Sequence, residues 1–284
     1  MMTVGTTTIS EALLIGNNKL KKITNNYHNE TFWLLGKSLN KNTNDLLLNK
    51  NHLMNIKQFD LFISLIERRI SNEPLQLILE SISFYNYKFS TYKNVFIARP
   101  ETELFIDILK NYNRSFDSTL EVGCGLGCLS ITLALEKLTQ DILAIDINAE
   151  AISASKENAK KLNCNNINFI NGNIFSIKHN TKYDLIISNP PYISINEIQD
   201  LDLNVLLYDP LLSLTDFNDG LNFYRYFAKF GQTLLKDNGL MLFEFGGEHQ
   251  KSALEIIFNN QNYELSFFND LNNMPRFVSV ELCN

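Results

Sequence analysis

The sequence predicts an α/β protein: a doubly wound, mostly parallel sheet preceded by a small helical bundle. Three observations predict it. From about residue 100 onward, short apolar runs alternate with segments of helical spacing, the pattern of a parallel sheet covered by helices. A glycine loop joins the first of those runs to a helix. The first 72 residues have no such alternation and repeat apolar residues at i, i+3 and i+4.

Taken in order, Ile9, Leu13, Phe32, Leu34 and Leu35, then Phe59, Leu61, Phe62, Leu65 and Ile66, carry the helical period over residues 8–72. Thr8 with Glu11 reads as a capping box at the first helix start. Residues 77–97 read as two aromatic-rich strands around Tyr85-Asn86-Tyr87, a linking β-hairpin. The strand cores that follow are Leu120–Val122, Ile142–Ile145, Ile167–Ile170, Leu185–Ile187 and Leu240–Phe245. Tyr263–Phe268 and Phe277–Leu282 alternate, which predicts a terminal antiparallel pair and a sheet of seven strands. The expected organisation is a helical domain for packing and partner docking over residues 1–76, the hairpin over 77–98 and an α/β domain over 99–284.

With 45% hydrophobic and 20% charged residues, the 284-residue chain has enough apolar surface for a sizeable core. Its net charge of −6 supplies no basic field for nonspecific nucleic-acid binding. Cys124, Cys128, Cys164 and Cys283 lack metal-site spacing, so no metal is expected, and the first two read as small apolar fillers. No signal-peptide pattern is visible and no apolar run reaches the roughly 18–20 residues of a membrane span. A cytoplasmic protein without membrane contact is the expectation.

Asn189-Pro190-Pro191-Tyr192, directly behind a buried strand, is the most informative stretch. Two prolines fix φ and donate no N–H, so the strand ends in a stiff, donor-free corner. Asn189 offers a side-chain oxygen, and Pro190 offers a carbonyl with no N–H from Pro191 to compete for it. Two fixed acceptors facing one spot suit an NH₂ group. In isolation the same residues read better as a surface Asn-Pro turn. Their partner is Glu121-Val122-Gly123-Cys124-Gly125-Leu126-Gly127, a strand-to-helix loop with G-x-G-x-G spacing, which differs from the G-x-G-x-x-G pyrophosphate cradle. Asp146 closes the next strand about 20 residues on, where an acid can accept from both ribose hydroxyls. The alternative, a helix cap, is better served by Asn148.

Together these motifs resemble the class I S-adenosylmethionine-dependent methyltransferases, within which the N-P-P-Y set methylates planar nitrogens. Further segments resemble the release factor glutamine-N5 methyltransferases: Phe96-Ile97-Ala98-Arg99-Pro100-Glu101-Thr102-Glu103, Arg68-Arg69 with Glu73-Pro74 and Gln76, Asp219-Gly220-Leu221 with Tyr224-Arg225, and Glu244 with Gly246. The resemblance spans nearly the whole chain and is weakest over the first 50 residues. It implies a Rossmann-like seven-stranded sheet and S-adenosyl-L-methionine as cofactor, held by Glu121, Gly123, Gly125, Gly127, Asp146, Asn173, Phe175 and Asn189. It implies Asn189, Pro190 and Tyr192 as catalytic residues. Pro191, Arg99, Pro100, Thr102 and Glu103 would join them on the substrate side. Pro100 and the two glutamates also read as a helix start, Phe96 reads as a cofactor cover or as core, and Tyr192 as a substrate wall or as strand-end packing. The implied partner is a peptide chain release factor, methylated on the glutamine of its Gly-Gly-Gln loop.

The sequence departs from the family pattern at Ala98, where the family has Pro, at Leu77 and Glu80, where it has Tyr and Gly, and at Asn173, where it has Asp. Asn173 can still accept from an adenine amine but carries no charge. Two sister readings keep the same corner: methylation of a ribosomal-protein glutamine, and methylation of an extruded adenine or guanine. The second predicts a basic groove, which the acidic composition opposes. A non-catalytic cofactor-binding scaffold would need neither Asn189 nor an intact glycine loop.

Overall fold

The computed structural model describes residues 7–177, 181–259 and 263–282, and Cys283 lies outside them. The chain packs as two units, Met1–Ser81 and Ile82–Asn284.

Among the described residues five helices build the first unit: α1 (Ile9–Leu20), α2 (Tyr27–Leu39), α3 (Thr43–Leu48), α4 (Ile56–Ile70) and α5 (Leu75–Leu79). The capping box at Thr8 and Glu11 forms as expected, and Asn55 with Gln58 makes a second one at α4. Each such cap contributes about 1 kcal/mol. Ile9, Leu13, Leu34, Leu35, Phe62, Leu65 and Ile66 interlock as one core. At Gly16 a Cβ would come within 2.5 Å of Thr31 Cγ2 and 2.8 Å of Phe62 Cζ, so the helix contact there has no room for a side chain. The Arg-Arg and Glu-Pro segment is structural: Arg68 grips Glu73 through Nε and Nη2 at 2.7 and 2.6 Å, and Arg69 reaches the buried Glu30 at 2.7 Å. Glu80 ends α5 in the left-handed region, φ 58°, where a glycine carries no Cβ penalty. Lys37 Nζ meets its carboxylate at 2.8 Å, but that glutamate is well exposed and the pair offsets little of the strain.

The hairpin strands are shorter than expected. They are β1 (Ser81–Phe84) and β2 (Tyr87–Ser90); Leu77 belongs to α5 and residues 93–99 contain no strand. The apolar run Leu75–Leu79 is too short for periodicity to separate strand from helix, and Pro74 before it starts a helix.

In the second unit the strands are β3 (Phe116–Val122), β4 (Thr139–Asp146), β5 (Ile167–Asn171), β6 (Tyr183–Ser188), β7 (Leu235–Glu244), β8 (Tyr263–Asn269) and β9 (Pro275–Leu282). They lie in the order β5-β4-β3-β6-β7-β9-β8. The first five are mutually parallel, and β9 runs antiparallel between β7 and β8. Helices α6 (Leu104–Asn111), α7 (Cys128–Leu135), α8 (Ala149–Lys161), α9 (Leu203–Tyr208), α10 (Leu211–Leu214), α11 (Asn222–Leu234) and α12 (Glu248–Asn259) complete it. Leu120, Ile186, Met241 and Phe243 pack under Tyr224, Phe227, Leu254 and Phe258 in one core, which explains the continuous apolar runs of the central strands. The strand order reverses between β3 and β6, and at such a switch point a crevice opens beyond the strand ends. The glycine loop follows β3 and the N-P-P-Y corner follows β6, so the topology brings both motifs to that crevice. Ser188 Oγ donates to the Val122 carbonyl at 2.6 Å, fastening the two strand ends together.

Among the described residues no helix is long and apolar enough to cross a membrane.

Candidate active site

A cavity of about 250 Å³ occupies the crevice, lined by Gly123, Gly125, Asp146, Asn173, Phe175 and Asn189 among others. Gly123 and Gly125 reach it with φ of 77° and 54°, backbone states that glycine enters without a Cβ clash. Asp146 holds the loop with both carboxylate oxygens: Gly125 N–H donates to one at 2.8 Å and Asn148 N–H to the other at 2.9 Å. Burial raises its carboxyl above the ordinary range, while the two N–H donors pull it back. Asn148 caps α8 by accepting from Glu150 N–H, so Asp146 is free of that duty.

Glu121 and Gly127 do not line the cavity and support it from behind. Glu121 is 3% exposed and accepts from Ser130 N–H in the first turn of α7 at 3.2 Å. Burial pushes its carboxyl up to about 8. Gly127 faces Ser155, where a Cβ would sit 3.0 Å from the Ser155 Cβ. Asn158, also buried, donates to the Leu126 carbonyl at 3.0 Å and so fastens the loop to α8.

At the other end Asn173 Oδ1 accepts from Phe175 N–H at 3.0 Å. Phe175 is 46% exposed and packs against Phe223 and Tyr226 at centroid distances of 4.9 and 5.1 Å. These rings form an aromatic wall. Phe223 lines the cavity and was not legible in the sequence, where it reads as an ordinary helix residue.

A second cavity adjoins, lined by Phe96, Arg99, Asn189, Pro190, Tyr192, Ile193, Leu201, Val205, Ser213 and Leu214. Asn189 and Pro190 line both cavities. Arg99 stacks over the Phe96 ring at 5.2 Å and pairs with the buried carboxylate of Asp209. Pro191 lines the first cavity only. Pro100, Thr102 and Glu103, expected on the substrate side, line neither cavity. They form a 3₁₀ turn with Pro100 at its start, which agrees with their reading as a helix start.

Thr102 has another task. It is buried, accepts from Asn189 Nδ2 at 3.3 Å and donates its hydroxyl to Glu244 Oε2 at 2.9 Å. Tyr192 OH donates to the other oxygen, Glu244 Oε1, at 3.2 Å. The Asp219-Gly220-Leu221 and Tyr224-Arg225 segment braces the same corner. Tyr224 OH donates to the Glu244 carbonyl at 2.7 Å, and Arg225 grips Asp219 at 2.8 and 2.5 Å. Gly220 passes directly under the Tyr192 carbonyl. Gln250 ties the parts together by accepting from Gly246 N–H and donating to that carbonyl, both at 2.8 Å. Gln250 had no signal in the sequence, because its partners lie on other elements. Cys124 and Cys128 are buried thiols, as expected of fillers.

Two family models match the chain, a PrmC N-terminal domain over residues 11–79 and a methyltransferase small domain over residues 86–206. A release factor glutamine methyltransferase of Fusobacterium nucleatum is 35% identical over 217 residues, covering 75% of this chain and 61% of that protein. Another, from Bacillus cereus, is 34% identical over 254 residues, 86% of this chain and 89% of its own length. The chain belongs to the release factor glutamine methyltransferase family. It therefore spans about three fifths of the Fusobacterium member and nearly all of the Bacillus member. A crystal structure of a methyltransferase from Pyrococcus furiosus superposes with a TM-score of 0.55 at 14% identity, over 77% of this chain and 98% of that one, and shows the shared class I fold. Two of the positions read as departures from the family pattern have clear places in the structure: Glu80 holds a left-handed backbone conformation, and Asn173 lines the cavity wall.

Proposed function

We propose that this chain methylates the side-chain amide nitrogen of a glutamine in a peptide chain release factor, using S-adenosylmethionine, at the Gly-Gly-Gln loop. The observation that carries this reading is the shared wall: Asn189 and Pro190 border two adjoining cavities, each with different chemistry. The first cavity fits the cofactor. Asp146 has a carboxylate at a strand end for the ribose, Phe175 offers an exposed ring face for the adenine, and Gly123 and Gly125 admit close backbone approach. S-adenosylmethionine supplies a methyl on a sulfonium, already strongly electrophilic.

What the protein must supply is orientation, since an amide nitrogen has its lone pair delocalised into the carbonyl. Asn189 spends its Nδ2 on Thr102, which leaves Oδ1 as the group to offer to a substrate. With the Pro190 carbonyl, that oxygen would accept both hydrogens of a glutamine amide, enrich its nitrogen and aim it. Holding two reactants in an attacking pose lowers a barrier by about 7–11 kcal/mol. Tyr192 and the Arg99–Asp209 pair would border the second cavity as walls for the glutamine side chain.

The test is methyl transfer from labelled S-adenosylmethionine to recombinant release factor, beside the same factor with its loop Gln→Ala. Label on the first alone is expected. Label on neither, with transfer to nucleic acid or ribosomal protein, would overturn the substrate.

The adenine end makes a separate prediction. Asn173 spends its oxygen on Phe175 N–H and keeps an NH₂ group, whereas an aspartate could hold that N–H with one oxygen and keep the other as an acceptor. Asn173→Asp is expected to tighten S-adenosylmethionine binding by about 3–10-fold, one hydrogen bond's worth. An unchanged or weaker dissociation constant by calorimetry would show that the adenine amine is not read there.

A further inference from the structure

Beneath the N-P-P-Y corner lies a carboxylate that touches neither cavity. Glu244 ends β7, is 2% exposed, and has one oxygen on Thr102 Oγ1 at 2.9 Å and the other on Tyr192 OH at 3.2 Å. A threonine hydroxyl carries a single hydrogen. When Glu244 is ionised that hydrogen must point to the carboxylate, which can only accept. The lone pairs of Oγ1 then require a donor from Asn189, and Nδ2 is found there at 3.3 Å. That leaves the amide oxygen as the group Asn189 has to offer to the two cavities it lines.

We infer that Glu244 is a positioning residue: acting through the Thr102 hydroxyl, it decides which end of the Asn189 amide faces the substrate. Protonation of Glu244 at Oε2 reverses the chain. The acid then donates to Thr102, the threonine hydrogen turns to Asn189, and the amide is favoured with Oδ1 inward and NH₂ outward. The corner would then meet a glutamine amide with a donor where an acceptor is needed. The consequence for catalysis rests on the amide-transfer reading; the hydrogen-bond order does not.

The surroundings support a switch in a working range. Burial pushes the Glu244 carboxyl up to about 7, against its hydrogen bonds from Thr102 and Tyr192. The charges acting on it are Arg276, which favours the carboxylate, and Glu101, which opposes it. Tyr192 and Tyr224 beside it are both raised by burial and stay neutral there. The acceptor-out arrangement is thus the form above about pH 7 and is lost as Glu244 takes up its proton below it.

The test reads the Asn189 side-chain amide directly, in the 284-residue chain without cofactor or substrate. Its ¹H–¹⁵N signals, assigned by their loss in Asn189→Ala, would be followed from pH 5.5 to 9 in wild type, Glu244→Gln, Thr102→Val and Thr102→Ser. A titrating Asn189 signal is expected in wild type and in Thr102→Ser. It should be flat in Glu244→Gln, which has no charge to lose, and in Thr102→Val, which keeps the charge and removes the hydroxyl. A flat wild-type signal, or titration surviving in Thr102→Val, would overturn the inference. In parallel, kcat should fall by about 10²-fold in Glu244→Gln, as expected for a misdirected reacting group. The acid limb of its pH profile should disappear with it. If Asn189 titrates as described but wild type labels no release factor, the transfer reading fails and the role of Glu244 in ordering Asn189 stands. If wild type labels the factor and Asn189 does not titrate, the reverse holds.

Discussion

Asn189→Ala is expected to lower kcat by about 10²–10³-fold, the loss seen when one fixed polar contact to a reacting group is removed. Its amide is committed on one side, with Nδ2 donating to Thr102, and its residue borders both cavities. Alanine removes the acceptor and leaves the Pro190 carbonyl alone to hold the substrate amide by one hydrogen. Cofactor affinity should change by no more than about threefold, less than one hydrogen bond, because Asp146, Phe175 and the glycine loop are untouched. Stopped radiolabel assays give kcat, and calorimetry gives the dissociation constant. Near-normal turnover would sink the orientation mechanism. A large loss of cofactor affinity would instead move Asn189 to a binding role.

The second large effect is expected at Gly220, which has no direct contact with any reacting atom. A Cβ built there would lie 2.0 Å from the Tyr192 carbonyl oxygen and 2.6 Å from its carbon, on a backbone of φ 77°. The obstacle is backbone, so no rotamer change relieves it. The same carbonyl accepts from Gln250 at 2.8 Å, so displacing it strips a buried donor as well. Gly220→Ala should cost about 2–4 kcal/mol, adding left-handed strain to overpacking, and turnover should fall with the displaced corner. Thermal unfolding and kcat measured together check it. Gly125→Ala is the internal control: its φ is 54°, but its Cβ would come no closer than 3.5 Å to any neighbour, so strain alone remains. Equal destabilisation of the two variants would show that the clash at Tyr192 is relieved by movement elsewhere.

Much of this architecture was legible in residue patterns, for reasons that differ by element. The parallel strands announced themselves because both faces are buried, so Leu120–Val122 and Leu185–Ile187 read as unbroken apolar runs. The glycine loop and the N-P-P-Y corner were legible because unusual backbone demands unusual residues. Asp146 was legible from its distance to the loop. The supporting shell was less visible. Glu121 belongs to the glycine-loop motif but serves Ser130 behind the cavity, because a strand-end carboxylate one residue out of phase with the lining side faces the helix. Thr102 and Glu244 are 142 positions apart, and no local spacing encodes their contact. Each belongs to a separate motif in the sequence, and only the fold sets the two against each other. The segment around Leu212 and Asp216 lines the first cavity with no chemical signature, since short apolar turns of this kind occur on many surfaces.

The sheet order also has a meaning in time. β9, the last in sequence of the seven strands of the large sheet, lies between β7 and β8, and its Phe277 pairs with Glu244 itself. A nascent chain emerging from its N-terminus carries the glycine loop and the N-P-P-Y corner long before β9 exists. Until then the outer edge of β7 is open and the carboxylate beneath the corner has no strand on that side. Assembly of the site is thereby coupled to synthesis of β9: a chain interrupted before that strand can own every residue of both cavities and still lack the scaffold that orders them.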